Sequence, residues 1–262
     1  MADFQYAQTR TGAQTGDMAT DAGLRKFMLG VYNKLALGIA LAGVLAFVAG
    51  TVPAVTQLVF GTPLYFVVQW GPIALMLGSM FFMKNPSPLA TGIMYWAIVT
   101  MMGLGLGIWV AGAQAASVGA PVDFASRGGI TFDNLTYVTI GKAFLITASA
   151  FGALSLFGYT TKRDLSGIGS FAMMALWGVV AMSLLNFILP PSSMFEWIIM
   201  GAVFALSAVL IAVETQQLKN GYYAFGGDAR SLAVMTNWGA LNFFISFINM
   251  FRIVLMFLSS RD

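Results

Sequence analysis

The sequence predicts an all-helical integral membrane protein, and three observations predict it. Hydrophobic residues make up 58% of the chain and charged residues only 9%, too little charge to cover a water-soluble domain of 262 residues. The apolar residues fall into long runs rather than amphipathic stripes. None of these runs alternates polar with apolar residues, as the strands of a membrane barrel must.

Seven runs reach the length of about 20 residues that a helix needs to cross about 30 Å of hydrocarbon. They lie at 29–52, 64–83, 89–115, 138–159, 168–189, 195–217 and 232–258. The breaks between them carry turn chemistry: Pro53 with Thr62 and Pro63, the Lys84 to Pro88 run, the polar stretch 117–137, Thr160 to Ser166, Pro190 to Ser193, and Lys219 to Ser231 with its Gly226-Gly227 pair. Residues 1–23 are polar and rich in Gly, Thr and Gln, which predicts a mobile tail ahead of a transmembrane domain over 24–262. This tail lacks the basic and apolar regions of a signal peptide, and its three aspartates argue against a mitochondrial transit peptide.

Lysine and arginine set the expected orientation. With a cytoplasmic N-terminus, eight of the thirteen (Arg10, Arg25, Lys26, Lys84, Lys162, Arg163, Lys219 and Arg230) lie on the inner side. The opposite side then holds Arg127, Arg261 and, near that surface, Lys142, while Lys34 and Arg252 fall inside spans. The net charge of +3 is thus topological, and no nucleic-acid partner is expected.

Absences narrow the function. With no cysteine and no histidine, disulfides, thiolate chemistry, histidine metal sites and a Ser/His/Asp triad are excluded. An intramembrane aspartyl protease would need two aspartates inside spans, where there are none, so no enzyme is expected. Calcium prefers six to eight oxygens, and the ten acidic residues lie mostly in loops and tails, so no resident metal or cofactor is expected either. Asp123 and Asp133 in the long outer loop read as solvated.

Some residues stand out against the apolar background. Glu214 sits near the cytoplasmic end of the sixth run, where it either reaches the interface or, as an ionisable group in a span, marks a functional site. Asn242, Ser246 and Asn249 recur at i, i+4 and i+7 on one face of the seventh, with Arg252 three residues on. That seam can line a water-filled path or act as hydrogen-bonding glue between helices. Gly103, Gly107 and Ala111 repeat every four residues, which predicts close helix packing rather than phosphate binding. Trp70, Trp96, Trp197 and Trp238 lie near segment ends and read as interfacial anchors. In the turn after the fourth run, Lys162 and Arg163 anchor the cytoplasmic face, Asp164 can pair with them, and Ser166 can cap the next helix.

The stretch AFLITASAFGALSLFGYTTKRDLSGIGSF, residues 143–171, resembles the signature of the Bax inhibitor-1 family, the transmembrane Bax inhibitor motif proteins. Residues 21–49 resemble that family's first helix, and NWGALNFFISFINMFRIVLMFL, residues 237–258, its last. The resemblance implies six helices around a central seventh in a bacterial inner membrane. It also implies either a pH-sensitive calcium leak, with calcium as permeant ion, or a non-conducting accessory of a larger membrane complex such as a membrane AAA protease or a respiratory assembly. In the family, two aspartates on the sixth and seventh helices share a proton and sense pH, because neighbouring carboxylates cannot both ionise cheaply. Glu214 occupies the first of these positions and Ser246 the second, so the coupled titration is lost. The family's second-helix arginine has no counterpart either, since 64–83 contains neither Arg nor Lys.

Overall fold

In the computed structural model the described residues are 22–83, 85–118, 135–188, 193–224 and 228–259. They form eight helices and no strand. These are α1 (Ala22–Thr51), α2 (Pro53–Phe60), α3 (Leu64–Phe82), α4 (Pro88–Val118), α5 (Tyr137–Thr160), α6 (Ser166–Ile188), α7 (Ser193–Ala224) and α8 (Ala229–Ser259). The all-helical class holds, and every predicted run is a helix. The expected tail up to residue 21, and the outer loop with Asp123, Arg127 and Asp133, lie outside the described residues.

The boundaries differ from the sequence reading in three main places. Helix α1 already begins at Ala22, ahead of the first run at 29 and inside the tail expected over 1–23. The break after the first run contains a helix of its own, α2, which starts on Pro53 at a position where a missing N–H costs nothing. With α3 it forms one apolar pair bent by 64° at Gly61 to Pro63. The sixth run does not end at 217: α7 continues to Ala224, and α8 begins at Ala229 rather than 232. By length and composition α1, α4, α5, α7 and α8 are each long and apolar enough to cross a membrane, while α6 qualifies as a shorter apolar helix over Ser166–Val179.

Helix α8 packs against α1, α4, α5 and α7, whereas α3 packs chiefly on α4 and α6 on α7. Its face Leu241, Phe243, Phe244, Phe247 and Met250 is buried, and Phe243 and Phe247 meet the ring of Phe151 edge-on. The most extensive packing joins α1 to α4. A methyl group at Gly103 would lie 2.7 Å from the Ala42 backbone, one at Gly107 2.7 Å from Ala49, and one at Gly50 2.7 Å from the amide of Ala111. The expected close packing is therefore real, and it brings backbone against backbone where lipid gives no hydrophobic drive for helix association. Trp70, Trp96 and Trp197 are exposed on the outside of the bundle.

Gly107→Val is expected to destabilise the fold by about 1–3 kcal/mol through overpacking. Gly30→Val on α1, where nothing lies within 4 Å of the new Cβ, is expected to cost much less. Apparent thermal midpoints in detergent would distinguish the two.

Candidate functional site

The site is organised by a polar stretch inside α7, Glu214 to Lys219. Glu214 lies ten residues before the end of the helix at Ala224, or about 15 Å along the axis. The helix thus runs on past the end at 217 that the sequence predicts, and Glu214 lies within it rather than at its last turn. A carboxylate or guanidinium near the centre of a span costs about 2.5–3.5 kcal/mol on insertion scales, so such groups need partners.

Four of the five polar residues of the stretch reach partners in the neighbouring elements. The Ser246 hydroxyl on α8 donates to the Glu214 carboxylate, 3.0 Å from Oε2 and 3.1 Å from Oε1. Thr215 Oγ1 donates to the Ile211 carbonyl at 2.8 Å, so its contact with Ser155 on α5, at 3.0 Å, must accept. Ser155 then has only acceptor capacity left for Tyr32 on α1, to which it is also hydrogen-bonded. The chain therefore runs in one direction, from Tyr32 through Ser155 and Thr215 to a backbone carbonyl. Gln216 clasps the α5–α6 turn, accepting from Leu165 N at 2.8 Å and donating to the Arg163 carbonyl at 2.7 Å. Lys219 Nζ donates to the Tyr159 carbonyl at 2.9 Å. That carbonyl is one of the last four of α5, where the helix dipole favours a cation.

This corrects the place given to Lys219. It is not in a cytoplasmic break but in a helix, with its side chain buried. Of the loop motif, Asp164 accepts from the Ser166 amide at 2.9 Å and from the Ser166 hydroxyl. The acceptor at the start of α6 is thus Asp164 rather than Ser166, and Lys162 and Arg163 make no ion pair with it. The two hydrogen bonds from Ser166, the hydroxyl first, hold the Asp164 carboxyl below its ordinary value of 3.8.

The seam of α8 does not stay together. Ser246 turns to Glu214, whereas Asn249 and Arg252 line a cavity of about 370 Å³ between α3, α4 and α8. Asn242 is exposed. Glu214 and Arg252 form no ion pair. Lys34, the other cation inside a span, donates to Asn237 on α8, whose amide donates to Pro88 O and Thr91 Oγ1, both at 2.8 Å. Among the described residues no group of three metal-ligating side chains occurs.

Tyr32, Ser155, Thr215, Gln216 and Asn237 were not anticipated as site residues. Each is an ordinary polar residue whose partners lie in another element of the fold. For Thr215 and Gln216 the density of polar side chains in ETQQLK, at the end of an apolar run, was a signal; Tyr32, Ser155 and Asn237 had none of that kind.

Five long apolar helices held by buried polar cross-links define a multi-pass membrane protein. The chain belongs to the Bax inhibitor-1 family: residues 24–262 match the family described as Bax1-I, inhibitor of apoptosis-promoting Bax1. It is 43% identical to an uncharacterized protein of Caulobacter vibrioides over 98% of both chains. It is 32% identical to a Rickettsia prowazekii protein, over 98% of this chain and 99% of that one. The inner membrane protein YbhL of Escherichia coli is 31% identical, over 92% of this chain and 94% of its own.

Gln216→Leu leaves the Leu165 amide and the Arg163 carbonyl without their partner, and a loss of about 1–3 kcal/mol is expected in detergent unfolding. For Asp164 the depressed pKa means that its contribution to stability is fully present above 3.8 and is lost as pH falls through the lower, folded value. The thermal midpoint of Asp164→Ala should accordingly lie below wild type at neutral pH and converge with it only in strong acid.

Proposed function

We propose that this protein is a cation leak, with calcium as the permeant ion, and that the Glu214–Ser246 contact between α7 and α8 controls passage. The observation that carries this reading is a carboxylate set about 15 Å inside its helix and answered by a hydroxyl of the neighbouring span, with no cation within ion-pairing distance among the described residues. Such a carboxylate offers a passing cation the only negative charge on this part of α7 and α8, and a proton taken up there removes it. In this reading seven spans cross a bacterial inner membrane, six of them around α8, with α2 and α3 as one bent span and the N-terminus cytoplasmic. The packing of α8 on four other helices supports that arrangement. The role is transport rather than catalysis, with no resident cofactor.

A second reading is favoured by the single carboxylate. Where the family pairs two, this chain offers one and a serine, and in this second reading the protein is a non-conducting accessory of a membrane protease or a respiratory complex. Purification in mild detergent would then bring down a stoichiometric partner.

The deciding experiment is calcium flux into liposomes between about pH 6 and pH 8, a range in which coupled carboxylates titrate. Glu214→Gln is expected to lower flux about tenfold, equivalent to ~1.4 kcal/mol on the barrier, and to flatten its pH response. Ser246→Asp recreates two facing carboxylates and is expected to steepen the response. Flux unaltered by both substitutions would remove this site from the mechanism, and no flux in any variant would leave the accessory role.

A further inference from the structure

The cavity between α3, α4 and α8 contains a concentration of polar groups that the leak does not use. Tyr65 and Gln69 from α3 and Asn249 and Arg252 from α8 all line it. None of these four side chains has a hydrogen-bond partner among the described residues; Gln69, Asn249 and Arg252 stand open to the cavity rather than sealed in a packed core. Arg252 alone brings five N–H donors in a planar fork and no acceptor. Helices α3 and α4 contain no Asp, Glu, Lys or Arg, and the only other charge on α8 is Arg230, about 33 Å away along the axis. The three walls therefore present one positive charge with nothing to neutralise it.

Depth narrows the choice of counter-charge. Arg252 lies seven residues before the end of α8 at Ser259, about 10 Å along the axis. A helix of 31 residues is about 46 Å long against about 30 Å of hydrocarbon. Arg252 then falls close to the hydrocarbon boundary on the C-terminal side of α8, within reach of the headgroup layer. The remaining lining, including Ile73, Met76, Met102 and Ile245, is apolar and suits an acyl chain.

We infer that this cavity is an oxyanion site, in which Arg252, with Asn249, Gln69 and Tyr65, binds one phosphate group, carried by a phospholipid of the adjoining leaflet or free in solution. A guanidinium fork matches phosphate in two hydrogen bonds, whereas a lysine supplies only a point charge. The site stands apart from the leak: a protein that binds phosphate and conducts nothing would keep this inference and lose the one above.

The test is calorimetric titration of the full-length protein in an uncharged detergent at fixed ionic strength, with dihexanoylphosphatidylglycerol and, separately, inorganic phosphate. Saturable one-site binding is expected for wild type, weakened by about tenfold or more in Arg252→Gln and partly restored in Arg252→Lys, since the fork but not the charge is lost. Arg230→Gln removes the same charge elsewhere on α8 and is expected to bind as wild type. Binding of the lipid alone assigns a headgroup, and binding of inorganic phosphate assigns a free anion. The inference is overturned if wild type binds neither probe saturably, or if Arg252→Gln binds as tightly as wild type.

Discussion

A helix that carries Glu, Thr, two Gln and Lys within six residues must find partners for them or remain outside the apolar phase. Much of the rest of the structure follows from how α7 meets that requirement. Glu214 is answered by α8, Thr215 by α5 and through it α1, Gln216 by the backbone of the α5–α6 turn, and Lys219 by the carboxyl end of α5. These bonds fix the register of α7 against its neighbours in a medium where apolar packing alone discriminates weakly between one register and the next. They also let α7 continue to Ala224 where its composition suggests that it should stop.

That extension marks the boundary of what is legible in the sequence. The helices themselves were readable, because apolar runs of spanning length have few alternatives in a bilayer. Close packing at Gly103, Gly107 and Ala111 was readable from their spacing; that the partner is α1 was not. The end of α7 was not, because Gln216 and Lys219 look like loop residues to any local reading. What makes them helical is a set of carbonyls and an amide some 50 to 60 positions earlier in the chain. The facing of Glu214 and Ser246 came from resemblance, not from periodicity, and periodicity misled on the seam. Residues at i, i+4 and i+7 share a helix face, but that face spans enough arc for Ser246 to meet α7 while Asn249 meets α3 and α4.

The turn after α5 is a comparable case. Its charges suggested an electrostatic anchor, yet its geometry depends on hydrogen bonds to the backbone and to Ser166 rather than on ion pairs: a glutamine holding two backbone positions, and an aspartate accepting from the first residue of α6. Exposed ion pairs contribute little to stability, whereas a buried amide that satisfies both a donor and an acceptor is costly to lose. The signature stretch of the family thus coincides with a place where the chain reverses under the grip of α7.

The interlocked α1 and α4 have a mechanical consequence. Sliding α4 by one turn in one direction would bring Val99 to the place of Gly103. Sliding it the other way would bring Ala111 to the place of Gly107. Either shift puts a side chain where a single Cβ already comes within 2.7 Å of the opposite helix. The pair behaves as a ratchet locked on one tooth, and any change of shape the protein undergoes is carried by its other helices.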